Sequence, residues 1–121
     1  MLSDKINLKE KFSKFTKQWS PRVIAEMNNY QFKIVKIKDD FVWHSHEETD
    51  EVFFVIDGAM SIHFEDSIVE LNKGELIVVP KGIRHMPSSE DECMVMLVEP
   101  RGTINTGDND GDLTADNDVW V

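Results

Sequence analysis

Cysteine, proline, glycine and positive charge are all scarce in this chain. Of its 121 residues, one is cysteine, four are proline and six are glycine. A lone Cys93 cannot close an intramolecular disulfide, which excludes a disulfide scaffold and fits a reducing compartment. Basic side chains number 13 against 23 acidic ones, for a net charge of −10. Such a surface repels phosphate backbones and anionic headgroups, so neither nucleic acid nor a membrane is expected as a partner. No apolar run approaches the ~18 residues of a membrane span. The segment from Met1 to Leu8 lacks the apolar core of a secretion signal, and the expectation is a cytoplasmic protein. A phosphate-binding glycine loop, a nucleophile elbow and a thiol pair are also missing.

What is present is a dense run of strand signals. Residues 5–18 carry Ile6, Leu8, Phe12 and Phe15 at spacings of three and four, which predicts a short amphipathic helix ended by Trp19-Ser20-Pro21. The expected organisation is a helical cap over 1–20, one β-domain over 21–100 and an acidic, extended tail over 101–121. Strands are predicted at Val23–Met27, Tyr30–Lys38, Val52–Ile56, Met60–Phe64, Ser67–Leu71, Leu76–Val79 and Met94–Val98, with turns at Asn28-Asn29, Asp57-Gly58 and Asn72-Lys73-Gly74. In Tyr30–Lys38 apolar and charged residues alternate, so one face is read as buried and one as wet. Val52–Ile56 is apolar on both faces and reads as a central strand. Short strands at regular spacing indicate an all-β barrel or sandwich. In the tail, only Trp120 is a large ring, placed to dock on the barrel or on a neighbouring subunit.

The chemistry concentrates in two places. Trp43 to Glu51 contains His44 and His46, which share one face of a strand, and Glu51. Pro80 to His85 brings a third histidine after a segment punctuated by Gly74, Pro80 and Gly82. These groups can converge only if the sheet closes on itself, which makes a metal site inside a β-barrel. Three imidazoles and one carboxylate suit Mn, Fe, Co, Ni, Cu or Zn better than Ca or Mg. One carboxylate against a divalent ion leaves about one net positive charge, which favours a small anionic molecule as the partner. Asp50 competes with Glu51 as the carboxylate ligand, but it has the opposite parity. If His44 and His46 point inward so does Val42, and if Glu51 does so do Phe53 and Val55; these line an apolar substrate cavity, and Met96 joins them from the last strand. His63 is read as facing solvent and Cys93 as an inert buried thiol. Met86 and Met94 are read as core, and Arg84 as a surface residue. Thr106 to Asn117 has the wrong first and last residues for a calcium loop.

These two segments resemble the paired motifs of the cupin superfamily. The first motif is matched by His44, His46, Glu51 and Gly58, although Lys38-Asp39-Asp40 stands where a leading glycine is usual. The second is matched by Gly74, Pro80, Gly82 and His85, with Ser89 in place of a closing asparagine. The motifs cover about residues 38–89. The resemblance implies a small antiparallel β-barrel of jelly-roll (double-stranded β-helix) type. It also implies a divalent metal, Mn, Fe, Ni, Co or Zn, on His44, His46, Glu51 and His85. The family includes dioxygenases, decarboxylases, isomerases and epimerases, so a small metalloenzyme is expected, with a non-catalytic binding or sensing module as the alternative. No separate catalytic residue is identifiable. A homodimer is expected, because small barrels have sheet edges to hide, with residues 5–27 as its surface.

Overall fold

The computed structural model describes residues 4–121. It contains one short helix, α1 (Leu8–Phe12), and seven strands. The strands are β1 (Arg22–Met27), β2 (Tyr30–Asp40), β3 (Glu51–Asp57), β4 (Ala59–His63), β5 (Ile68–Asn72), β6 (Leu76–Val79) and β7 (Met86–Pro100). Every strand pair is antiparallel. The main path runs β1-β2-β7-β3-β6, and the β4–β5 hairpin joins through β7.

The predicted turns form where expected. Asn28 takes a positive φ of 56° between β1 and β2, and Gly58 one of 94° between β3 and β4. At Gly58 an added Cβ would lie 3.2 Å from the Cys93 backbone, so the turn needs glycine for space as well as for dihedral. The long β7 holds the sheet together. Its second half pairs with β2 and β3, through Val35↔Val95 and Phe53↔Leu97. Its first half pairs with β4, through Ile62↔Pro87, and with the end of β2, through Asp40↔Ser88. That first half was not legible as strand, because Met86–Glu92 is polar and does not alternate; hydrogen bonding to two partners holds it extended.

Two apolar clusters flank this sheet. Inside lie Val35, Ile37, Phe53, Val55, Met60, Ile62, Leu71, Val79, Cys93, Val95 and Leu97. Outside, Phe12, Phe15, Ile24 and Ile34 pack with Phe32, Ile56, Met94 and Met96. Burial of each aliphatic side chain contributes roughly 1.5–3 kcal/mol. The wet face expected for β2 is therefore corrected: Lys33 and Lys36 are both buried. Lys36 donates from Nζ to the Phe15 carbonyl at 2.8 Å, beneath the N-terminal segment.

The N-terminal segment also differs from a helix over 5–18. Asn7 caps α1 by accepting from the Glu10 amide at 2.9 Å, and the helix ends at Phe12. So short a helix is stable only through packing, and leaving it early lets two rings reach different surfaces. Phe15 joins the outer cluster, while Trp19 stacks on Phe41 with centroids 4.4 Å apart. The tail consists of turns folded back on the barrel. Val23 donates to the Val119 carbonyl at 2.7 Å, and Val23 bridges Trp120.

Candidate metal centre

The three site histidines leave irregular backbone at one end of the barrel, and Glu51 joins them as the first residue of β3. Near the end of β2, Asp39 takes a positive φ of 64°, and beyond Asp40 the chain joins no ladder before β3, apart from one bridge. There His44 and His85 exchange backbone hydrogen bonds of 3.0 and 2.9 Å. A second tie, from the Gly82 amide to the His46 carbonyl at 2.9 Å, holds the turn before His85 against the His-Ser-His segment. Asp50 accepts from the Lys81 amide at 2.9 Å. It stabilises this turn, which leaves Glu51 as the inward carboxylate.

The result is a compact donor set. One nitrogen or oxygen from each of His44, His46, Glu51 and His85 lies within 4.8 Å of the others, and all four residues are buried. Glu51 Oε1 is 3.4 Å from His46 Nε2 and 3.5 Å from His85 Nε2. The Nδ1 atoms of His44 and His85 each sit 2.9 Å from a backbone carbonyl, of Val42 and Ile83. A carbonyl only accepts, so Nδ1 carries the proton and Nε2 presents a lone pair to the centre. Phe41 and Phe53 pack edge-on against the rings of His44 and His85.

The electrostatics fit a cation. Burial, then the neighbouring His85, lowers the His44 pKa to about 4, so its imidazole is neutral at physiological pH. Burial alone would raise the Glu51 pKa, but the close approach of the His46 and His85 rings and of Glu99 outweighs it and holds the carboxyl below its usual range. His46 Nε2, His85 Nε2 and Glu51 Oε1 are buried with no hydrogen-bond partner. Leaving such groups unsatisfied costs about 1–3 kcal/mol each. A metal ion would satisfy all three at once, so these residues fit one.

Three further features were missed in the sequence. The first is Glu99, which strand register brings level with Glu51; burial, then the charge of Glu51, drives its pKa well up. The second is Lys33, with Nζ 3.0 Å from Glu99 Oε1, a charge contact rather than an aligned hydrogen bond. Neither has a local signal, because they meet only through strand register. The third is the tail. Asp108 accepts from the Ser45 amide at 2.9 Å, and the Asn109 side chain donates to the Trp43 carbonyl at 3.0 Å.

A cavity of about 30 Å3 adjoins the donors, lined on its apolar side by Trp19, Phe41, Phe53, Val95 and Leu97. Val55 lies in the inner core, and Val42 meets His44 through its carbonyl. Met96 points to the outer cluster, which corrects its assignment to the cavity; its neighbours on β7 have the inward parity. An open groove of about 450 Å3 reaches His46 between residues 47–49 and 100–104. His63 and Cys93 stand outside the donor set, and burial raises the Cys93 pKa to about 11.

An antiparallel barrel carrying three histidines and a glutamate at one end is the architecture of a metal-type cupin. The sequence profile of the cupin domain matches residues 32–99, more than half of the chain, and the chain belongs to that family. It is similar to a cupin-2 domain containing protein from Shewanella frigidimarina, at 54% identity over 79% of this chain and 94% of that one, with a TM-score of 0.79. A Neisseria meningitidis protein is 35% identical over 80% of this chain and 99% of its own, with a TM-score of 0.74. The uncharacterized protein YdbB of Bacillus subtilis is 28% identical over 93 residues, 76% of each chain.

Proposed function

We propose that this cupin is a metal-dependent enzyme that acts on a small anionic molecule, with a divalent transition metal held by His44, His46, Glu51 and His85. The observation that carries this reading is the set of buried donor atoms left without partners around one point. Mn, Fe, Ni, Co and Zn all suit three nitrogens and one oxygen. Such an ion, when bound, supplies Lewis acidity for isomerisation or carbon–carbon cleavage, and iron adds dioxygen chemistry.

The chain's own residues divide the remaining work. Three imidazole ligands and one carboxylate leave about one unit of positive charge on a divalent ion, which draws in an anionic donor. Phe41, Phe53 and Leu97 give the inner side of the centre an apolar wall. The groove beside His46 has the volume of a small-molecule site and is the way in.

Elemental analysis of protein purified without added metal or chelator, beside His85→Ala, tests the reading. Near-stoichiometric metal in the native chain and none in the variant is expected; no metal in either protein would remove it. The second reading, a binding or sensing module without turnover, draws on the cavity itself. About 30 Å3 beside the donors holds a water or two but no organic substrate. Bound metal with no turnover across acids, diketones and sugars would favour it.

A homodimer belongs to the same proposal. The main sheet path ends at β1 and β6, and Leu76 and Val78 of β6 are exposed. A second copy would cover such an edge; a monomer mass by light scattering at micromolar concentration would count against it.

A further inference from the structure

The inner face of β2 and β7 changes character along its length. Deep in the barrel it carries Val35 opposite Val95 and Ile37 opposite Cys93. Toward the metal centre the same face carries Lys33 opposite Leu97 and Gln31 opposite Glu99. All of these side chains are buried. A buried ion pair is seldom a gain in stability over apolar side chains of similar volume, and the deeper rows show that this sheet accommodates apolar pairs. Stability alone does not account for Lys33 and Glu99.

Their position does. The β3–β7 ladder ends with Val52 opposite Val98, so the next step brings Glu51 level with Glu99. The buried Glu99 side chain thus stands between two groups, the Lys33 ammonium 3.0 Å away and the buried Glu51 carboxyl of the neighbouring strand. Lys33 is anchored in turn, with Nζ donating to the Thr103 carbonyl at 3.2 Å. Gln31 closes the row by donating to Glu26 at 3.0 Å and Asp118 at 2.9 Å.

We propose that the buried Lys33–Glu99 pair is a positioning device for the metal-holding Glu51. Lys33 fixes Glu99, and Glu99 fixes which oxygen of Glu51 faces the three imidazoles. The inference rests on the metal-centre reading above. Groups that orient a metal ligand without touching the metal typically change metal affinity by about 10–100-fold when removed.

The test uses the full chain, stripped by chelator and titrated with Co2+ alone. The readouts are the apparent affinity and the visible absorption bands, which report ligand geometry. His85→Ala should abolish binding; if it binds Co2+ like the native chain, the metal-centre reading itself fails. With that control in place, Glu99→Leu should weaken Co2+ about 10–100-fold and shift the bands. Glu99→Gln, which keeps shape and polarity, should restore both to near native. Native affinity and native bands in folded Glu99→Leu would overturn the proposal, even if its Tm falls, because a merely structural pair changes stability alone. If Glu99→Leu fails to fold, Glu99→Asp decides. Shortened by one methylene, it should weaken Co2+ and shift the bands, and native values for both would overturn the proposal equally.

Discussion

The two ends of the barrel interior are made from the same strands and differ in everything but geometry. At the closed end, Val35, Ile37, Val55, Ile62 and Val95 meet in an apolar cluster. At the open end, Lys33, Glu51 and Glu99 continue the same inward faces, and the histidines join them from irregular backbone. Strand parity decides which side chains point inward, and height along the strand decides what chemistry they carry. A fold can therefore keep its stability in one half and its reactivity in the other.

Substitutions at the two ends should separate these roles. The largest effect is expected for His46→Ala, with metal content falling from near one per chain to background and turnover lost with it. Turnover surviving in a metal-depleted His46→Ala protein would sink the mechanism. At the other end, Ile62→Ala should cost about 2–5 kcal/mol in denaturant unfolding, while Co2+ affinity of the folded fraction stays native. A Co2+ affinity that fell with stability would mean that the two ends are not separable.

A smaller effect comes from pH. In the chelator-stripped protein the His44 pKa is lowered from 6.5 to about 4, so between these values the unfolded chain binds a proton that the folded chain refuses. Its contribution is complete above pH 6.5 and fades as pH falls toward 4, by up to about 3 kcal/mol. Glu99, with its raised pKa, acts in the opposite sense, so the comparison is made against His44→Gln. The native chain should lose more stability than that variant between pH 6.5 and 4; equal losses would show that His44 is not neutral when folded.

The smallest effect is expected at Gly107, where φ is 55° and an added Cβ would lie 2.2 Å from the Ser45 carbonyl oxygen. Gly107→Ala should cost about 1–3 kcal/mol and lift the tail from the His-Ser-His segment. Faster loss of Co2+ to a chelator is the readout.

Much of the site was legible because its information is local. His44 and His46 stand two apart, Glu51 opens an apolar run, and His85 follows a turn marked by Pro80 and Gly82. The strands with clear alternation, such as β4, were equally plain. What stayed hidden depends on partners far away in sequence. Lys33 reads as a solvent-facing residue until register places it beside Glu99. Met96 was assigned inward although the parity of β7 turns Val95 and Leu97 there. The tail has few apolar side chains, so its composition suggested an extended segment. Its attachment uses hydrogen bonds instead, with Asp108 and Asn109 binding backbone groups of Ser45 and Trp43.

The order of ligands along β7's side of the fold has a consequence for synthesis. His85 directly precedes β7, whose pairing with β2, β3 and β4 holds the barrel together. During translation His44, His46 and Glu51 emerge first, but neither β2 nor β3 has its β7 partner until the last third of the chain is made. The fourth donor thus arrives together with the strand that completes the sheet. A nascent chain offers no finished pocket to capture a wrong ion early, and metal selection falls to the folded protein and the ions around it.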